Sequence, residues 1–342
     1  MDNRRERNKT ATGRLFEVDM FHPEDAEGIV RIFRSVYGDG YPIKIFYDPK
    51  ALTDANENGD YYSIVARNPD GCVIGVHHLY RSAPYRSLYE WGVGLVLGDY
   101  RGKGVSGAIG RHVAGVVIPD RGMDAVFGES VCNHVHTQKM CAAAGLVDTA
   151  LEISLMPAAA YSQEKSATGR VATLLQFRCY KSKPRKVFLP DVYEKQLRFM
   201  YEGMAYQPGF EKSDEELPPD TESQLEMTVF DFAKVARIAV LRTGPDLGGA
   251  LAGLESKASA QDVEVFQVWL KLSSPSVGAA VDVLRQNGYF VGGPLPRWFN
   301  EDGLLMQKLL CAPDFEAIKL HSKRAERILE AVTEDWERTK KC

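Results

Sequence analysis

Arg101-Gly102-Lys103-Gly104-Val105-Ser106-Gly107-Ala108 separates an apolar, strand-like run from a helix with an apolar stripe, and it narrows the fold more than any other stretch of the chain. A glycine-rich passage from strand to helix leaves backbone N–H groups unpaired at the helix start, where a pyrophosphate can approach them closely. The same letters fit a plain glycine-rich turn into an ordinary helix. The surrounding elements must decide between the two.

Spacing sets aside two common phosphate loops. A Walker loop carries Lys-Ser/Thr directly after its last glycine, whereas Gly104 is followed by Val105 and Ser106. A dinucleotide loop, G-x-G-x-x-G, needs an acidic residue about 20 positions on, at the end of a second strand. Gly102, Gly104 and Gly107 meet the short pattern, but Asp124 stands before the next strand rather than at its end.

Residues 15–20 read as a strand, and the chain from Pro23 as a helix with Ile29, Ile32, Phe33 and Val36 on one face, ended by Gly38-Asp39-Gly40. A polar and aromatic segment follows over 41–60. Residues 61–66 and 73–80 read as a hairpin across Asn68-Pro69-Asp70-Gly71. The strand at 89–97 leads into the glycine loop, and the helix over 105–117 buries Val105, Ile109, Val113 and Val116 before Pro119 stops it. A strand at 125–131, a helix over 134–144 closed by Gly145, and strands at 149–156 and 171–180 complete this half.

The loop resembles the R/Q-x-x-G-x-G/A motif of the GNAT acyl-CoA-dependent N-acetyltransferases. Arg101, Gly104 and Ser106 take the three specified positions, with Ser106 in place of Gly or Ala. The order of elements over 14–180 is that of a complete GNAT domain. The resemblance implies an α/β fold with a mixed, largely antiparallel sheet and the phosphate loop between its fourth strand and third helix. In the family the fourth strand bulges and splays from the fifth, exposing backbone groups to the pantetheine arm of CoA. Gly92 and Gly94 in mid-strand fit a bulge, and Asn133, followed by a short helix and Ala144-Gly145-Leu146, resembles the family's N-…-G-F signature. The implied acetyl-CoA contacts are Leu95, Val96, Leu97, Arg101, Gly102, Lys103, Gly104, Val105, Ser106, Gly107 and Asn133.

The chain of 342 residues is long enough for two domains of ordinary size. Composition shifts over 181–220, where Lys181-Ser182-Lys183-Pro184-Arg185-Lys186 precedes a helix expected over 187–206 and an acidic, proline-containing loop. Without interleaved aromatics, the basic run reads as a solvated linker rather than a nucleic-acid patch. Farther on, a strand at 263–272, a helix over 275–287 stopped by Gly288, and a hairpin of 289–299 with 304–310 resemble the end of a GNAT fold, and an amphipathic helix is expected over 315–336. No second R/Q-x-x-G-x-G/A follows residue 181. The expected division is therefore a flexible N-terminus over 1–13, a GNAT domain over 14–180, a connector over 181–220 and a degenerate GNAT-like domain over 221–342 without CoA.

Transfer of an acetyl group to an amine needs a base for the amine proton and an acid for the leaving thiolate. Glu90, eleven residues before Arg101, resembles the general-base glutamate of the histone-acetyltransferase branch, and period-two alternation puts it on one face with Gly92 and Gly94. A solvated glutamate is the alternative. The family's tyrosine acid is replaced by Cys141; a thiol can donate a proton, and a small core residue is the other reading. His134 and His136 stand nearby as further candidates. The amine is expected between 41–60 and the loop 158–170, where Asp48, Asp54, Glu57 and Asp60 either favour a cation or are simply solvated.

The leading expectation is an acetyl-CoA-dependent N-acetyltransferase acting on a small-molecule or protein amine. The rival is a non-catalytic acyl-CoA-binding regulatory protein. A net charge of -4 gives no general attraction to nucleic acid or an anionic membrane. The absence of an apolar run of ~20 residues and of an apolar stretch near Met1 leads to a cytoplasmic expectation. Scattered cysteines and the pairs His77-His78 and His134-x-His136 lack zinc spacing, so no metal is expected. A homodimer is left open.

Overall fold

The structure is a computed structural model that describes residues 6–10, 13, 15–161, 167 and 169–341. The chain forms two compact units, Met1–Gly128 and Glu129–Cys342.

The first unit begins with β1 (Glu6–Lys9) and β2 (Leu15–Met20). Residues 6–9 thus correct the expectation of a flexible N-terminus: they pair antiparallel with β2, Glu6 opposite Val18. α1 (Ala26–Tyr37) follows, then α2 (Pro49–Glu57). The second helix was not expected in the polar 41–60 segment, although Asp48-Pro49 carries its signal. Proline suits the first helical position because its missing N–H needs no partner there, and the Asp48 carboxylate caps the N–H groups of Lys50 at 2.9 Å and Ala51 at 3.0 Å.

Next come β3 (Tyr61–Arg67), β4 (Val73–Tyr80), β5 (Leu88–Val96), α3 (Val105–His112), continued by a π-turn at Val113–Val117 and a last turn, α4 (Ile118–Asp120), and then β6 (Ala125–Val131). The strand order is β1-β2-β3-β4-β5-β6. All neighbours are antiparallel except β5 and β6, which run parallel. This is the mixed sheet the sequence implies, with the glycine loop in the expected place. One face is sealed by α1 and α2: Phe33 and Phe46, both fully buried, stack at 4.2 Å over Ile29, Leu52 and Val76. Burial of each such side chain contributes about 1.5–3 kcal/mol. On the other face α3 presses Val105 and Ile109 against Gly75 of β4.

The second unit contains the end of β6, α5 (His136–Ala143), β7 (Val147–Met156), β8 (Val171–Cys179), β9 (Lys186–Leu189), α6 (Glu194–Tyr201) and β10 (Gly209–Lys212). Residues 187–189 were expected to open a helix; with Lys186 they form a strand parallel to β10, and Pro190 delays the helix to Glu194. Then come β11 (Gln224–Phe230), β12 (Val235–Arg242), α7 (Leu247–Ser259), β13 (Val265–Lys271), α8 (Val277–Gln286), β14 (Phe290–Leu295), β15 (Gly303–Leu309) and α9 (Lys323–Thr339). A five-stranded sheet runs β11-β12-β13-β15-β14. Its β13, α8 and hairpin match the sequence reading; β11, β12 and α7 were missed. The last helix begins at the Ser322 cap, whose hydroxyl accepts from Ala325 N–H at 2.9 Å, so residues 315–321 lie before it rather than within it.

β7 packs on this sheet within the same unit. The Gln307 side chain behaves as a piece of strand: its carbonyl accepts from Ile153 N–H at 2.8 Å and its amide donates to Leu151 at 2.9 Å. Glu152, 2% exposed, accepts from Thr173 at 2.6 Å, Gln267 at 2.9 Å and Arg237 at 3.2 Å. Buried polar groups persist only when paired in this way.

Candidate functional site

β5 is regular up to Gly92 and then breaks. Val93 takes φ +50, a left-handed conformation uncommon for a β-branched residue, and the register with β4 slips between Val76 and His78. This is the bulge expected in the strand before the loop. The pairing with β6 covers Leu88, Glu90 and the residue between them, and ends at Glu90 opposite Phe127. The bulge also resets the faces. A Cβ on Gly92 would lie 3.1 Å from Glu90 Oε1, whereas one on Gly94 would lie 2.9 Å from the His77 ring. Glu90 therefore shares its face with Gly92 but not with Gly94, which corrects the alternation read from sequence.

The loop is built for close approach. Gly102 (φ +69) and Gly104 (φ +87) occupy conformations that glycine alone adopts at no cost. A Cβ at either would meet nothing within 4 Å. Gly104 is the N-cap of α3 and brings no side chain to its N–H groups. A pocket of about 340 Å³ opens here, lined by Val96, Tyr100, Arg101, Gly102, Gly104, Val105, Ser106 and Gly107. Orphan N–H groups at a helix start favour an anion through both hydrogen bonding and the helix dipole.

Not every expected contact is available. Leu97 is committed on both sides, its N–H to Ile74 at 3.0 Å and its carbonyl to Tyr100 at 2.8 Å. The Arg101 side chain donates to the Val96 carbonyl at 3.0 Å, pinning the loop to the strand end. Lys103 bonds to the Asp99 carbonyl. Leu95 is 8% exposed and belongs to the core beneath α1. Of the expected contacts, Val96, Arg101, Gly102, Gly104, Val105, Ser106 and Gly107 line the pocket.

Glu90 lies on β5, 8% exposed. Tyr80, its partner across the strand pair, donates its hydroxyl to Oε1, and Ser82 donates to Oε2 at 2.7 Å. Tyr61 stacks on Tyr80 at 5.3 Å, and burial, then Glu90 and then Asp60, push its phenol up to about 12. Tyr80 and Ser82 escaped the sequence reading, because only the hairpin register reveals which side chains face Glu90.

The acids of 41–60 do not gather into an ammonium site. Asp48 caps α2, Asp54 pairs with Lys50 at 2.5 Å, and Asp60 accepts from Arg81 at 3.0 Å and Arg86 at 2.9 Å. Of the loop 158–170, positions 162–166 and 168 lie outside the described residues.

Asn133 and Cys141 belong to the second unit. Asn133 is buried just beyond β6. Cys141 is 1% exposed inside α5, 3.6 Å from the Ser130 hydroxyl, and burial pushes its thiol up to about 11. Its burial matches the second of the two readings the sequence allows, a small core residue.

No protein-family model matches the chain, and no curated protein matches it. Solved structures do. The chain is similar to a ribosomal-protein-S5-alanine acetyltransferase from Vibrio fischeri, at 14% identity over 49% of this chain and 96% of that one, with a TM-score of 0.39. An N-acetyltransferase from Staphylococcus aureus Mu50 gives 12%, 48%, 99% and 0.40. A GCN5-related N-acetyltransferase from Kribbella flavida gives 19%, 48%, 97% and 0.38.

Proposed function

We propose that this chain is an acetyl-CoA-dependent N-acetyltransferase that acylates a primary amine by direct attack on the thioester. The observation that carries the reading is the open glycine loop at the start of α3, set directly after a bulged strand whose parallel pairing stops at Glu90. Gly102 and Gly104 fit the group, since no side chain fills the space a pyrophosphate would take. The N–H groups of residues 102–107 would hold the pyrophosphate.

Bound acetyl-CoA supplies an acyl thioester already activated toward an amine. Glu90 would take the proton from the amine as the new C–N bond forms and the C–S bond breaks to release the CoA thiolate, while the Tyr80 and Ser82 hydroxyls keep the carboxylate from rotating. The same two bonds favour a second reading, in which Glu90 is a structural link and the protein binds acyl-CoA without turning it over.

Thiol release from acetyl-CoA across a panel of primary amines tests the proposal. Amine-dependent release is expected. Tight CoA binding with no release across the panel would favour the second reading, and absence of CoA binding would remove both.

A further inference from the structure

The second sheet repeats part of the first and then stops short. In the first, β4 pairs antiparallel with β5, β5 runs parallel to β6, and the far edge of β4 is covered by β3. In the second, β11 pairs antiparallel with β12, β12 runs parallel to β13, and β11 ends the sheet. Among the described residues no strand lies beyond it. An uncovered edge presents a row of backbone N–H and C=O groups that can pair with another strand.

Natural edges are commonly blunted by lysine, proline or a bulge. β11, Gln224-Leu225-Glu226-Met227-Thr228-Val229-Phe230, has neither lysine nor proline, and its one irregularity lies at its start, between Gln224 and Leu225. The strand is also complementary to itself. Two copies laid antiparallel about Met227 put Leu225 opposite Val229 twice, Met227 opposite itself, and Glu226 opposite Thr228 twice. Apolar side chains then meet apolar ones on one face, and the only charge in the strand faces a hydroxyl rather than its own copy. α7 packs against β11. With Leu247, Leu251 and Ala258 buried and Gly248 turned to Val283 of α8, its flank away from α8 carries Ala250, Gly253 and Leu254, small enough for a second helix to come close.

We propose that β11 is the seam of a two-fold dimer, in which it pairs antiparallel with β11 of a second copy of this chain, centred on Met227, and joins the two sheets into one. The size of the contact sets its strength. A seven-residue ladder is ~24 Å long and a sheet with one helix layer about 20 Å deep, so each copy covers roughly 500 Å², below the ~800 Å² per partner of a standard stable interface. The dimer is therefore weak and reversible.

Sedimentation velocity of the full chain over ~1–100 µM tests it. A monomer–dimer equilibrium is expected within that range, and amide hydrogen exchange at 225–229 should slow as the concentration rises. Thr228→Glu, at an exposed position, sets two like-charge pairs across the seam and should weaken dimerisation about tenfold. Adding Glu226→Lys, also exposed, turns both into Lys–Glu pairs and should restore it. A monomer throughout, which would leave the edge to a different chain or to none, would overturn the inference. So would a dimer indifferent to Thr228→Glu, or one that the second substitution fails to restore. None of these outcomes touches the CoA reading of the first unit.

Discussion

Among the described residues, two pairs of parallel strands end in a glycine-containing turn that starts a helix, and the space at the two turns differs. After β5, Gly104 caps α3 with no side chain, and the space around Gly102 and Gly104 is open. After β12, the parallel pairing with β13 likewise stops, at Ala239 opposite Trp269, and a pocket of about 270 Å³ lies beyond it. Here, however, a Cβ on Gly244 would stand 1.7 Å from the Thr221 carbonyl. The Gly244 N–H is donated to Ser223 at 2.8 Å, and the Asp246 carboxylate accepts from Ser223 N–H at 2.9 Å. Protein atoms fill the position an anion would take, and a carboxylate guards it. Glycine at a helix start is therefore not enough: neither helix start has a side-chain cap, and what separates the two turns is whether protein atoms already fill the space before the helix.

The largest effect that could break this contrast is on binding itself. Gly104→Asp adds a Cβ at φ +87 and a negative charge at the pocket, and should abolish CoA binding. The unaltered chain should titrate to one CoA. Two per chain would mean that the second turn binds as well; an unchanged affinity in Gly104→Asp would mean that the first does not.

The next effect concerns chemistry. Glu90→Gln keeps the shape but cannot take a proton, so kcat should fall ~10²–10⁴-fold with CoA affinity nearly unchanged. The assay belongs at saturating substrate and a pH below the amine pKa. A loss under threefold would move the base elsewhere and leave Glu90 as the anchor of Tyr80 and Ser82.

A third prediction sharpens the structural character of the second unit. The folded-state pKa of Glu152 is pushed up to about 7, first by burial and then by the neighbouring Glu129, against an ordinary 4.5. The folded state therefore binds this proton more tightly than the unfolded chain. Its contribution is full below about pH 4.5 and is lost as the pH rises to 7, by up to about 3 kcal/mol. Denaturant unfolding should show that decline in the unaltered protein and a flatter profile in Glu152→Gln. Equal slopes would mean that Arg237, 3.2 Å away, keeps Glu152 ionised throughout.

How much of this was legible beforehand differs along the same lines. The strand, loop and helix around Gly104 were readable because glycine, apolar period and chain order all point the same way there. β11, β12 and α7 were not read, since a strand of alternating exposure such as 224–230 and a helix holding Gly248, Gly249 and Gly253 carry weak local signals. α2 was missed although Asp48-Pro49 announces it. The faces of β5 could not be derived from alternation, because one left-handed residue, Val93, shifts every side chain after it. Nor could the partners of Glu90 and Ser106, which come from β4 and the turn after it through a register that no local pattern contains.

A smaller effect tests the plug in the second turn. Gly244→Ala forces a methyl group against the Thr221 backbone, and overpacking of this kind costs about 1–3 kcal/mol. Denaturant melting should show that loss with the CoA stoichiometry unchanged. Unaltered stability would mean that the 221 segment moves aside easily, and that the second pocket is more open than its geometry indicates.

The smallest expected effect separates the core of the second unit from the chemistry of the first. Cys141 occupies the sequence position at which a proton donor was expected, yet its thiol is sealed in α5 and held protonated well past neutrality by burial. A buried thiol behaves as a small hydrophobe, so Cys141→Ala removes packing and little else. Stability should fall by about 1 kcal/mol, as for other single substitutions of modest volume, and kcat should stay within threefold of the unaltered protein. The pH profile of kcat carries the sharper information. A general acid leaves a descending limb at high pH, and that limb should survive in Cys141→Ala if the leaving thiolate takes its proton from another source. Its disappearance, together with a tenfold loss of kcat, would show that α5 opens during turnover and would return the thiol to the reaction.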